Sequence, residues 1–152
     1  MTSATLVVPA IPGYIPEAAA DLSDAATRRR LSPATVKGFL AIMEKWRLRD
    51  PDARALLGGM STGSFYALKK ETKDRVLERA LDQDTLTRVS LLLGIFKALN
   101  ILYSRKLADA WMTLPNSNPM FQGLTPLAYM VQRGQPGMVH VRQLLDARRG
   151  GQ

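Results

Sequence analysis

The stretch TRVSLLLGIFKALNILYS, from Thr87 to Ser104, constrains the fold of this chain more than any other. Leu86, Val89, Leu93, Phe96, Asn100 and Tyr103 recur at helical spacing and trace one face, and Leu91, Leu92, Ile95, Leu99 and Leu102 widen it. A helix apolar on most sides has to be surrounded, so this one is expected as a central strut, buried against several neighbours or a second copy of itself. Asp84 is the expected cap of a helix running from about Thr85 to Tyr103. Arg88, Lys97 and Asn100 interrupt the run, which therefore falls short of a membrane span, and no membrane partner is expected.

Other helices are placed around it by start and stop signals. Ser32-Pro33 opens the first, with Val36, Phe39, Leu40, Met43 and Trp46 on one face. Asp50-Pro51 opens a second, short helix that stops at Gly58-Gly59, and Ser61 caps a third through about Lys70. A charged segment follows from about Lys73 to Leu81. After the strut come a short helix over Ser104 to Met112, the loop LPNSNPMFQGLT, a helix from Pro126 to about Gln132 closed by Gly134, and a last helix from about Pro136 to Ala147. Nothing alternates with period two for long enough to make a strand. The fold class is all-α, a helical bundle.

The 152 residues suit one compact core or two small helical subdomains sharing a hinge. The chain has no cysteine, which removes disulfides, thiolate nucleophiles and cysteine-based zinc sites, and fits a reducing cytoplasm. Residues 1–27 are rich in Ala and Pro, carry Glu17, Asp21 and Asp24 as their only charged side chains, and read as a flexible tail rather than a secretory signal. The net charge is +8. Its excess of basic residues lies in 28–75 and 104–152, on either side of a balanced centre.

The first basic region contains DARALLGGMSTGSFYALKK, from Asp52 to Lys70: two short helices joined by a tight turn. Ala55 lets the helices cross closely, Gly59 supplies the turn, and Met60, Phe65 and Leu68 lock the second helix onto the first. The pattern resembles the helix-turn-helix of Xre-type repressors, although Arg54 stands where that motif is usually apolar. An ordinary helical hairpin gives the same spacing. The resemblance implies that Ser61, Thr62, Ser64 and Tyr66 reach base edges or phosphates of promoter DNA. Lys69, Lys70, Lys73 and Arg75 then add phosphate contacts, and Arg28, Arg29 and Arg30 serve as a basic arm ahead of the first helix. This DNA-binding segment spans 28–82.

The most specific text is WMTLPNSNPMFQGLTPLAYMVQRGQPGMVHVRQLLD, from Trp111 to Asp146. With RVSLLLGIFKAL from Arg88 to Leu99 before it, it resembles the toxin-binding C-terminal domain of the Xre/MbcA/ParS antitoxins, here 83–152. Most of the motif residues read as scaffold: Trp111 and Phe121 bury large rings, Pro115 and Asn116 set the loop, and Gly123 and Gly134 permit turns. The recognition surface is expected on exposed positions that the scaffold holds in place. These are Met120, Tyr129, Met130, Gln132 and Arg133, then Arg142 on the outer face of the last helix, and the flexible end with Arg148 and Arg149.

The resemblance implies an antitoxin that covers the active-site cleft of a RES-domain, NAD-consuming toxin, and represses the shared promoter. Arg148 or Arg149 entering that cleft where the pyrophosphate of NAD lies, and a disordered solubilising end, are both open readings of the C-terminus. A homodimer is expected from the helix-turn-helix and the long apolar helix. Catalysis finds little support. His140 is the single histidine, no metal ligand set or cofactor is expected, and Asp50, Asp52, Asp82 and Asp84 sit at helix starts where carboxylates favour the dipole. The competing function is a stand-alone helix-turn-helix regulator whose C-terminal bundle only dimerises or senses a ligand.

Overall fold

The computed structural model describes residues 20–73 and 75–150. Their architecture is all-helical: α1 (Ala25–Lys45), α2 (Asp50–Leu56), α3 (Thr62–Lys73), α4 (Gln83–Leu102), α5 (Arg105–Ala110), 3-10 turns at Trp111–Thr113 and Pro119–Phe121, α6 (Pro126–Arg133) and α7 (Gln135–Arg149). α4 lies at the centre, packed by α1, α5 and α7, while α6 packs on α7 and α2.

Short polar side chains fix most helix starts. Asp24, Asp82, Ser104 and Thr125 each accept the backbone amide three residues on, at the heads of α1, α4, α5 and α6. Ser61 does the same for α3, accepting the Ser64 amide at 3.1 Å. The cap of α4 is therefore Asp82 and not Asp84. Asp84 lies in the first turn and pairs with Arg88 at 2.8 Å.

α1 begins at Ala25, well upstream of the expected start at Ser32-Pro33, and carries Pro33 inside it. A proline there removes one helical hydrogen bond and crowds the preceding turn. The helix persists because Val36, Phe39 and Ile42 are buried along its face, and because Ser32 is buried too, donating to the Arg28 carbonyl at 2.6 Å and accepting the Leu81 amide at 2.8 Å. Arg28 folds back to donate to the carbonyls of Leu22 and Ser23. The expected basic arm is thus the first turns of a helix, with Arg29 and Arg30 exposed on it.

α3 continues to Lys73, and the charged segment beyond it is irregular from Arg75 to Asp82. Its Leu77 and Leu81 turn inward to join Val36, Leu68 and Leu86 in a small apolar cluster. The main core is continuous through both sequence segments. It includes Phe39, Trp46, Leu56 and Phe65 from the first three helices, Leu92, Ile95 and Leu99 from α4, and Met130, Met138, Val141 and Leu145 from the last two.

On α4 the buried stripe runs through Leu86, Val89, Leu92, Ile95 and Leu99, rotated from the face expected on Leu93, Phe96 and Asn100. Asn100 is exposed, with its amide donating to the Phe96 carbonyl. By length and composition α4 is long and apolar enough to cross a membrane, contrary to the reading of its interrupted run. Its place between α1, α5 and α7 gives the apolar character a different reason.

Candidate functional site

Two surfaces carry the expected recognition residues. The first is built on the turn between α2 and α3, where Gly58 and Gly59 both take positive φ, 93° and 84°, which side chains rarely adopt. The turn is clamped from the far side. A Cβ at Gly58 would stand 3.1 Å from Asp84 Oδ2 and 3.2 Å from Arg88 Nε, so the bare glycine lets the Asp84–Arg88 pair of α4 lie directly against it. Arg54 occupies its unusual position by reaching under the same turn, its guanidinium near the Met60 carbonyl at 3.3 Å.

Phe65 and Leu68 bury the inner face of α3 and leave the outer face free. Thr62, Tyr66, Lys70 and Lys73 stand exposed on it, Tyr66 at 65%. Ser61 and Ser64 are exposed as well but engaged with each other, hydroxyl to hydroxyl at 2.9 Å. Lys69 is half-buried, paired with Asp50 at 3.1 Å and lying over the Phe65 ring. Arg30 sits on α1, a separate helix.

The second surface rests on an aromatic stack. Trp111 meets Phe121 edge-on at 6.0 Å between centroids, Phe121 meets Tyr129 edge-on at 5.3 Å, and the Tyr129 hydroxyl is 2.8 Å from His140 Nδ1. The loop between is held by its own asparagines: Asn116 accepts the Asn118 amide and Asn118 accepts the Met120 amide. Gln122 and Gly123 then turn the chain with positive φ.

This scaffold absorbs two residues expected on the surface. Met130 is fully buried in the core and Tyr129 nearly so, because α6 is only eight residues long and presents both to α7 and the aromatic stack. They pack; they do not face a partner. Met120 is half-buried, while Gln132 and Arg133 are exposed, Arg133 lying over the Tyr129 ring.

The C-terminal arginines are more ordered than a flexible end. α7 runs on to Arg149, so Arg148 and Arg149 are helical. Arg148 donates to the Tyr103 hydroxyl at 2.9 Å, and Arg149 approaches Asp146 at 3.8 Å. Arg142 pairs with Asp146 at 3.0 Å, its guanidinium lying over bare Gly94 of α4. Asp146 and Tyr103 thus organise the basic face. Sequence reading missed both: the partner of Tyr103, Arg148, stands 45 positions away, whereas Asp146 pairs at the local helical spacing of Arg142 and Arg149, a signal that was there to be read. Exposed Ile101, Leu107 and Leu114 were missed as well, since which apolar side chains packing leaves uncovered is not marked in the sequence.

No cluster of acidic or histidine side chains that could hold a metal ion occurs among the described residues.

Residues 98–151 match the family model described as the antitoxin Xre/MbcA/ParS C-terminal toxin-binding domain. The chain is also similar to a protein of Sinorhizobium fredii, named only as uncharacterized protein y4oB, at 38% identity over 120 residues. That alignment covers 78% of this chain and 87% of the relative. It reaches well beyond the segment that the family model matches. With the toxin-binding signature laid over α5 to α7 and the end of α4, the chain belongs to the Xre/MbcA/ParS antitoxins.

Proposed function

We propose that this antitoxin neutralises a RES-domain, NAD-consuming toxin by seating its C-terminal segment over the toxin's active-site cleft, and that it represses its own promoter as a homodimer through α2 and α3. The toxin half of the reading is carried by the toxin-binding family match over 98–151. Gln132 and Arg133 at the end of α6, Met120 in the loop, and Arg142, Arg148 and Arg149 along α7 are the residues assigned to the toxin. One guanidinium at the end of α7, Arg148 or Arg149, enters the cleft where the pyrophosphate of NAD binds. That step requires Arg148 to leave its part-buried bond to Tyr103, or Arg149 to leave its long 3.8 Å pairing with Asp146, for a bidentate contact with phosphate oxygens.

The DNA half is supported by the polar and basic face of α3, with Thr62, Tyr66, Lys70 and Lys73 exposed and Ser61, Ser64 and Lys69 beside them. Arg30 supplies a phosphate contact from α1.

Co-expression with the neighbouring reading frame, purification of the pair and an assay of NAD consumption test the toxin half. The expected result is a stable complex in which NAD is spared, and release of NAD consumption once the antitoxin is removed. A chain ending at Ala147 that protects cells as well as the full chain removes the role given to Arg148 and Arg149. Operator binding without any rescue from a toxin would favour a stand-alone regulator instead.

A further inference from the structure

Five large apolar side chains stand exposed among the described residues: Tyr66, Val76, Ile101, Leu107 and Leu114. Scattered singly, such residues need no explanation. Three of these are not scattered. Ile101 lies on the last turn of α4, Leu107 on α5 and Leu114 directly after the first 3-10 turn, and these elements pack on one another in that order. The three are 56%, 41% and 44% exposed, and all fall within the residues matched as toxin-binding.

A groove of about 740 Å³ opens between the end of α1 and α5, lined by none of the three but by Lys106, the neighbour of Leu107 in the chain. Trp46, Lys106, Asp109 and Thr113 line it. The indole Nε1 of Trp46 and the Oδ1 of Asp109 are buried there without a hydrogen-bond partner among the described residues, one a donor and one an acceptor.

Charge decides between occupants. Lys97 on α4 and Arg105 and Lys106 on α5, the elements that carry Ile101 and Leu107, are exposed and make no ion pair with any described residue. A second copy of this chain, meeting through the same patch about a two-fold axis, brings these cations against their own counterparts. A different protein with carboxylates around an apolar projection meets it favourably. We infer that the Ile101–Leu107–Leu114 face is where the partner toxin seats an apolar projection flanked by carboxylates. The inference rests on the antitoxin reading above and names the surface that the buried Tyr129 and Met130 cannot provide.

The test uses the full chain and the toxin encoded beside it, with toxin affinity and self-association measured for the wild type, Ile101→Glu and Leu107→Glu. Exposed sites of this kind are expected to leave helicity and the unfolding temperature unchanged. The expected result is toxin binding weakened about 30-fold or more by either substitution, as for residues at the centre of an interface. Should a glutamate variant fail to fold, Ile101→Ser and Leu107→Ser remove the same apolar contact without a charge and are read the same way. Wild-type chain that captures toxin while the variants capture it within about threefold overturns this inference alone. Loss of self-association with toxin affinity unchanged also overturns it and assigns the face to a second copy. Wild-type chain that captures no toxin overturns the antitoxin reading and this inference with it.

Discussion

The hydroxyl of Ser32, inside α1, accepts the backbone amide of Leu81 at 2.8 Å in a buried setting, joining the first helix to the irregular segment that leads into α4. Ser32→Ala leaves that amide without a partner where water does not reach. The expected cost is about 1–3 kcal/mol, the penalty for an orphaned buried donor. Chemical denaturation of the two proteins reads it directly, and an unchanged midpoint would show that the amide finds another acceptor.

Met130 and Gln132 are two residues apart on α6 yet occupy opposite environments. Met130→Ala opens a cavity in the core and is expected to destabilise by about 2–5 kcal/mol. Gln132→Ala, on the exposed side, is expected to stay within about 0.5 kcal/mol. If Met130→Ala kept full stability and lost only toxin binding, the burial of that side chain would be wrong.

Gly94 and Gly137 both sit where helices cross, but what a methyl group would meet differs. At Gly94 it meets the far end of the Arg142 side chain, which can swing away. A helical glycine replaced by alanine then gains up to about 1 kcal/mol of propensity, so Gly94→Ala is expected to be neutral or stabilising. At Gly137 it meets Arg133 Cβ at 2.7 Å and the Met130 backbone at 3.4 Å, neither of which can yield without moving α6. Gly137→Ala is expected to cost about 1–3 kcal/mol by overpacking. Thermal unfolding of both variants gives the comparison.

Under the promoter-binding reading, the lysines of α3 are unequal. Lys70 is exposed, whereas Lys69 is held by Asp50 and the Phe65 ring. Lys70→Ala is expected to flatten the slope of log affinity against log salt by about one, and Lys69→Ala by less. Titrations of promoter DNA over a range of salt concentrations measure both slopes.

The Thr27 hydroxyl and amide donate to the Asp24 carboxylate at 2.7 and 3.1 Å, which holds its pKa below the usual 3.8. A depressed acid stabilises fully above its unfolded value and stops doing so as the pH falls through the lower folded value. The first turn of α1 is therefore expected to loosen only below pH 3.8, seen as falling protection of the Thr27 amide in hydrogen exchange. Asp24→Asn, which keeps an acceptor oxygen but does not titrate, should abolish that dependence.

The helices themselves were largely legible. Apolar spacing located α1 and α4, and Ser61, Pro126 and Gly134 marked the start of α3 and the two ends of α6 as the chemistry of those residues requires. The start of α1 was not legible. Pro33 has the form of a first-turn proline, and its interior position is made tolerable by the burial of Val36, Phe39 and Ile42 and by the contact from Ser32 to Leu81, far along the chain. The recognition surface was harder still. Tyr129 and Met130 have the chemistry of interface residues, but burial depends on which way a short helix is rolled, and α6 rolls them inward. The Arg148–Tyr103 and Arg142–Gly94 contacts depend on how α7 lies across α4, which no local pattern encodes.

α4 is shared property. Leu93 lies against Gly38 and Phe96 against Trp46 on one flank, while α7 covers another. Severing the chain between residues 82 and 83 would strip those side chains of their cover and leave both fragments with sticky, water-facing seams. The antitoxin cannot be handled as interchangeable beads on a string. A change of toxin specificity has to be rewritten side chain by side chain on the outside of one inherited block, because whole segments cannot be traded without unroofing the helix they have in common.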